Sequence, residues 1–404
     1  MTIRSFALAF CLIYATSASA HQSAANPPRT SIDVAAAYSW RSDGAVETTN
    51  STWHIPGVMM GGEAYPVMEG HTLDELTLTL IHQINASWYG VVEAGTHDST
   101  DDHESMELEH AYLGWKCCTF TNSSATVELG KMSANFSPSV SKHPSARLFS
   151  EAPLVLDAFL GRTFHDKGAR ITWQQQNGFT AGIESWHGNA FPASPPPDGG
   201  SLDIFASYQW QSDKLLLVAG GWLMQADAEL RADSRYVGGH QHTTAFSETI
   251  TDVRFSGTTD LAGLHAQLQW QLTQNVALDL QGEWIESDAD GEITDGTRFA
   301  DLTSDNSGFW AQSSLLWRKH IFSVRVEELS LQNDVTGTGA DQLITDASLA
   351  SADENPQRLA IGWHYQWSNN LAFRLEGIDD QSTADERSRI VLGVIWRERL
   401  WEKR

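Results

Sequence analysis

The sequence predicts an all-β chain folded as a transmembrane antiparallel β-barrel of sixteen strands, with short periplasmic turns and long external loops. Three observations lead there. From residue 31 on, apolar and polar residues alternate with a period of two, as in strands with one face in an apolar phase and the other in water. The connections between these segments alternate short and long, which is the rule for outer-membrane barrels and not for sandwiches. After residue 20 no long uncharged apolar run occurs, so no helix is predicted to span a bilayer. Yet the chain holds 16 Trp, 16 Phe and 8 Tyr, which a barrel spreads over its outer face and interfacial girdles.

The chain opens MTIRSFALAFCLIYATSASA. Arg4 supplies a basic n-region, Phe6 to Ala15 an apolar h-region, and Ala18-Ser19-Ala20 a small-x-small cleavage signal. Residues 1–20 therefore read as a cleaved Sec signal, 21–30 as a periplasmic leader and 31–404 as one barrel domain. The expected destination is the outer membrane of a Gram-negative cell, with its lipid as one partner.

The strands follow in order. Ile171 and Trp173 oppose Arg170, Thr172 and Gln174. Leu264, Leu268, Trp270 and Leu272 oppose His265, Gln267, Gln269 and Gln271. Phe322, Val324 and Val326 oppose Ser323, Arg325 and Glu327, and Leu359, Ile361, Trp363, Tyr365 and Trp367 oppose Arg358, His364 and Gln366. Leu371, Phe373 and Leu375 oppose Arg374 and Glu376. Short turns fall near 83–86, 117–122, 174–178, 211–214, 272–275, 318–321 and 368–370. Long loops fall near 42–72, 96–105, 133–166, 188–200, 226–258, 287–306, 332–355 and 379–387. Seven turns and eight loops make sixteen strands, and a barrel of that size leaves room for a water-filled lumen. The predicted lumen residues are Glu93, Arg170, His265, Asp279, Glu283, Arg325, Glu327, Arg358, His364, Arg374 and Glu376. The plainest reading of these charges is a wet interior; the sharper one is a transverse field that orients polar solutes.

Without the signal, which carries one basic residue and no acid, 25 Lys and Arg face 51 Asp and Glu, a formal charge of −26. Such a surface excludes nucleic acid as a partner and enriches cations. Cys117 and Cys118 are the only cysteines after the signal. Neighbours on a strand point to opposite faces, so two separate thiols are expected rather than a vicinal disulfide.

The stretch 107–172 resembles the phosphate-selective porin O and P family. The resemblance rests on Glu109-His110-Ala111-Tyr112-Leu113, the Gly130-Lys131 pair, Phe136-Ser137-Pro138, Phe149-Ser150-Glu151, Ala158-Phe159, Gly161-Arg162 and Gly168. It implies that loop 133–166 folds inward and narrows a pore, with Glu151, Asp157, Arg162 and Asp166 at the constriction. It also implies a homotrimer. The apolar run from Pro153 to Leu160 fits an inward loop, because exposed it would be a liability. The chain departs from the family in having few basic residues and no Pro-Phe-Gly turn at Phe136, and it ends on Trp401-Glu402-Lys403-Arg404 rather than a terminal aromatic.

Residues 97–110, HDSTDDHESMELEH, hold three histidines and six carboxylates. Imidazole with carboxylate suits zinc or another borderline divalent ion. The candidate metal ligands are His97, Asp101, Asp102, His103, Glu107 and His110, with His240 and His242 of the GGHQH stretch. His143 and His165 flank the third loop. The plainer reading is solvated acidic loops, since 287–306 is acidic without any histidine. The alternation around Met106–Trp115 is imperfect and leaves the direction of His110 open. No G-x-S-x-G, HExxH or Gly-rich phosphate loop occurs, so no catalysis is expected and no cofactor is required. The expectation is a porin passing small hydrophilic solutes, with cations or divalent metal ions such as zinc favoured. The alternative is a barrel closed by its own loops that captures metal through external His/acid loops rather than conducting.

Overall fold

A computed structural model describes residues 29–45, 55–96, 106–233, 253–350, 355–383 and 386–403. The signal and most of the leader lie outside the described residues, as do His97, Asp101, Asp102, His103, His240 and His242.

The described chain forms sixteen antiparallel strands closed into one barrel, as predicted. In order they are β1 (Thr30–Arg41), β2 (Gly70–Gln83), β3 (Trp88–Thr96), β4 (Glu107–Thr119), β5 (Ser123–Ser133), β6 (His165–Gln175), β7 (Phe179–Trp186) and β8 (Gly200–Gln211). There follow β9 (Leu215–Ala232), β10 (Arg254–Thr273), β11 (Val276–Thr294), β12 (Phe299–Trp317), β13 (His320–Thr336), β14 (Gln357–Gln366), β15 (Leu371–Gln381) and β16 (Arg387–Lys403). Each strand pairs with its sequence neighbours, and β1 closes on β16 with Thr30 opposite Lys403. Closure leaves no unpaired edge, as a lipid environment demands.

The period-two pattern explains the two faces. On β14, Leu359, Ile361 and Trp363 are exposed outward while Arg358, Ala360 and His364 are buried inward. Aromatic residues gather beside the short turns: Trp88 stacks on Trp115 at 5.6 Å, and Trp173, Trp210, Trp270, Trp317 and Trp367 are exposed at the same end. That is an interfacial girdle. Cys117 and Cys118 near the end of β4 are free thiols.

Two of the β-bulges change which residues face the lumen near the third loop. Opposite β1, Ala37 pairs with Glu75 and Tyr38 with Leu73, so Asp74 is extra. Opposite β3, Glu93 pairs with His110 and Ala94 with Leu108, so Glu109 is extra. A bulge lets consecutive residues share a face. It buries Asp74 with Glu75, and Glu109 beside His110, on the inner side.

One expected loop is corrected. The segment 287–306 is mostly strand: β11 and β12 run to a four-residue connection at 295–298. Strands of 17 to 20 residues in β9–β13 exceed the roughly 10 residues a tilted strand needs to cross a bilayer. Their upper parts stand in water, where outward Asp288, Asp290, Asp301 and Asp305 replace the apolar residues that mark a membrane strand. The acids that suggested a loop are the wet flank of a tall wall.

Two connections turn inward. The first loop buries Ile55, Val58, Met60, Ala64 and Val67. The third, residues 134–164, carries a 3-10 turn (Pro144–Ala146) and a short helix, α1 (Leu154–Leu160), all of whose residues are buried. The two loops meet backbone to backbone: a Cβ on Gly62 would stand 2.8 Å from the Gly161 carbonyl oxygen. Only glycine permits that approach, and both residues have φ near +62°. A second short helix, α2 (Ala340–Asp346), covers the tops of β12 and β13.

Candidate functional site: a lumen crossed by the third loop

The third loop makes a circuit of the inner wall, and most inward charges hold it there. It leaves β5 with Phe136 packed on Trp222 of β9 (ring centroids 4.5 Å) and on Phe164 (5.6 Å). Lys142 then lies in the field of Asp279 and Glu283 on β11; burial pushes its pKa down and those two carboxylates oppose the shift. The next residue, His143, points the other way, with Nε2 3.4 Å from Glu93 Oε1. Burial works against charge on that imidazole, but the contact with Glu93 and the field of Glu75 and Glu109 outweigh it and raise its pKa to about 10.

Beyond the turn, the Ser145 amide donates to Glu75 at 2.7 Å. Ser150 donates to Glu376 through its amide (2.9 Å) and hydroxyl (2.8 Å). Glu151 meets Arg389 at 2.7 Å and Arg358 at 3.6 Å. Arg389 and Arg358 also hold Asp380, at 2.7 and 3.4 Å. Arg325 donates to the Glu151 carbonyl (3.1 Å) and pairs with Glu327 (2.6 Å), which accepts the Leu154 amide at the start of α1. Arg374 joins Asp74 at 2.8 Å, and Asp74 also takes Arg41 at 2.8 Å. An aromatic face helps: Arg325 stacks over Phe149 at 4.8 Å. Buried pairs of this kind fix geometry more surely than they add stability.

The expected constriction residues divide. Glu151 is a wall anchor, as above. Asp157 on α1 pairs with Arg162 at 2.9 Å, and Arg162 donates to the Tyr65 carbonyl of the first loop at 2.6 Å. Asp166 lies at the start of β6 and accepts the amides of Gly188 (2.7 Å) and Asn189 (2.8 Å), so it caps a neighbouring loop. All eleven expected lumen residues are buried on the inner side. Arg170 bridges Glu128 (2.7 Å) and Glu184 (2.9 Å) and donates to the Ser133 carbonyl (2.9 Å). Asp279 accepts from Gln267 at 3.1 Å. Of the expected metal residues within the described chain, Glu107 is exposed at the top of β4, and His110 faces inward with Nδ1 3.2 Å from Glu93.

Sequence reasoning missed Arg41, Asp74, Glu75, Glu128, Glu184, Asp380 and Arg389. Glu128, Glu184 and Arg389 alternate with apolar neighbours and were within reach of the same reading. Asp74 and Glu75 were hidden by the bulge.

Below the loop the lumen is wet. Gln174, Ser207, Gln209, Gln267, Gln269 and Gln271 point inward near the short turns and stay solvent-accessible, as does Lys116, whose ammonium lies 5.8 Å from the Tyr89 ring. This vestibule is polar and nearly neutral. Above it, the two inward loops pack an apolar cluster with Trp186, Phe205, Trp222, Ile285, Trp310 and Leu329 of the wall.

No protein-family model matches the chain, and no curated protein matches it. Solved structures do. The outer membrane channel DcaP of Acinetobacter baumannii aligns over 91% of this chain and 96% of its own at 13% identity, TM-score 0.52. OmpF of Salmonella typhi, in complex with daunomycin, aligns over 92% and 98% at 10% identity, TM-score 0.52. A loop-deletion mutant of OmpT, an outer membrane protein of Vibrio cholerae, aligns over 92% and 100% at 11% identity, TM-score 0.50. The fold is that of the outer-membrane barrels. With its outward apolar band and girdle, it places the chain in the outer membrane of a Gram-negative cell.

Proposed function

We propose that the protein is an outer-membrane porin that passes small hydrophilic solutes by passive diffusion, with cations favoured. One observation carries the reading: a loop folded into a sixteen-stranded barrel and fixed to its wall by charge pairs, above a water-accessible, glutamine-lined vestibule. Sieving is set by that loop. Electrostatic filtering comes from an acidic chain whose wall arginines Arg41, Arg170, Arg325, Arg358, Arg374 and Arg389 are already paired with carboxylates. The arginines that would attract phosphate are spent in those pairs, which argues against the anion preference of the phosphate-selective porins despite the resemblance at 107–172. The mechanism uses no catalytic group and no cofactor. A homotrimer is the assembly the resemblance implies, testable by cross-linking in detergent.

The apolar packing of the first and third loops supports a second reading: a barrel closed at rest by its own loops. Single-channel recording of the refolded protein in a planar bilayer separates the two. Stable conductance supports the porin. A folded barrel that inserts and carries no current supports the closed form.

A further inference from the structure

We propose that Glu93, Glu109, His110 and His143 form a site for one divalent ion of the zinc class, and that the ion ties the third loop to the barrel wall. Oxygen or nitrogen atoms of Glu93, Glu109 and His143 lie within 4.8 Å of one another. His110 touches Glu93 but lies outside that mutual spacing, as a more distant fourth donor. The Glu93 Oε1 to His110 Nδ1 and to His143 Nε2 distances are 3.2 and 3.4 Å. Zinc bonds of about 2.0–2.1 Å in a tetrahedron put neighbouring ligands about 3.3 Å apart. These contacts have that spacing.

Glu93 is nine-tenths buried. Its Oε2 accepts from the Thr79 hydroxyl. Its Oε1 is faced by both imidazoles, which pair with it at 3.2 and 3.4 Å. The far nitrogen of His110, Nε2, is held by the Ser133 hydroxyl at 2.8 Å. That contact fixes the orientation of the His110 ring. Two imidazoles and two carboxylates are the donor set of a borderline divalent ion.

A cavity of about 10 Å³ adjoins the cluster, lined by Glu63, Glu109, Ser133, Lys142, His143 and His165 among others. The bulge on β4 creates the site, because it turns both Glu109 and His110 inward. The ligands come from β3, β4 and the loop, so the ion would bridge wall and constriction. A proton on His143 is the competing occupant, and metal must displace it.

The test is binding of Zn²⁺ to the refolded, chelator-stripped full-length barrel by calorimetry, with Co²⁺ absorption reporting the geometry. One ion per chain and intense tetrahedral Co²⁺ bands are expected. His143→Ala and Glu109→Gln should each weaken binding at least about tenfold, and Ser133→Ala by roughly ten- to a hundredfold through the outer shell. A variant with His97, His103, His240 and His242 all changed to Ala should bind as the parent does. The proposal is overturned by absence of binding in the parent, by binding that survives both ligand variants, or by binding lost with the four external histidines. Heat-modifiable gel mobility checks folding, and if His143→Ala does not fold, Glu109→Gln and Ser133→Ala decide. No current is measured, so failure here leaves the porin reading standing, and a non-conducting barrel leaves this site standing.

Discussion

Glu151 concentrates the logic of the constriction in one side chain. It is carried on a loop, yet Arg389 and Arg358 of the wall grip it. Burial would raise its pKa; Arg389 and Arg358 overcome that and hold the carboxyl well below its usual range. The sign follows. A depressed folded-state pKa contributes stability above the unfolded value of about 4.3, and that stability is lost only as pH falls through the folded value. The loop should therefore stay docked at pH 4, and single-channel conductance should show no step between pH 7 and pH 4. Glu151→Gln leaves Arg389 and Arg358 short of a buried partner. Breaking such a pair costs about 3–5 kcal/mol, so protease cleavage within 134–164 should become faster while gel mobility of the barrel stays native. Unchanged cleavage would mean that Ser150 and α1 alone hold the loop. Glu151, Arg358 and Arg374 were legible in the sequence because their strands or motif keep phase. Asp74, Glu109 and the direction of His110 were not, because a single extra residue in β2 or β4 reverses the pattern.

At the scale of elements, the strands were legible and their ends were not. An alternating run of ten residues announces a membrane strand; the upper halves of β11 and β12 alternate too, but their outward residues are Asp288, Asp290, Asp301 and Asp305, while inward Ile293, Ala300 and Leu302 pack with Met59 and Leu343. The inward fate of the third loop was legible from Pro153–Leu160, a run too apolar for an exposed loop. That of the first loop was missed, since Ile55, Val58 and Met60 are scattered among glycines. The two loops lock at Gly62 and Gly161, where neither a Cβ nor the left-handed backbone suits any other residue. Gly161→Val meets both obstacles at once. The strain should be at least about 1–2 kcal/mol, and it falls on the loop contact, with the sheet untouched. The expected phenotype is a channel with larger or noisier conductance and a barrel that unfolds at the parent's temperature. A quiet, parental conductance would show that the first loop contributes nothing to the constriction.

At the scale of the whole molecule, the balance is between net charge and local pairing. The chain carries an excess of 25 acids over bases, and the outer wall of β10–β12 displays Asp260, Asp288, Asp290, Asp301 and Asp305 at its top. The inward arginines Arg41, Arg170, Arg325, Arg358, Arg374 and Arg389 all have carboxylate partners within 3 Å except Arg358, whose partners lie slightly farther. Paired charges project little field into the path, so the acidic rim sets the sign, and cations should be favoured. That field acts through water and is screened: the Debye length falls from about 10 Å at 0.1 M salt to about 3 Å at 1 M. Reversal potentials under a KCl gradient should therefore indicate cation preference near 0.1 M and approach zero preference near 1 M. Removing Asp288 and Asp305 should reduce the low-salt preference, and removing Asp74 should reduce it too, by taking one carboxylate from beside Arg41 and Arg374. An anion-selective parent at 0.1 M would mean that the arginines escape their pairs when the loop moves, and the phosphate-like solutes of the resembling family would then become the better substrates to try.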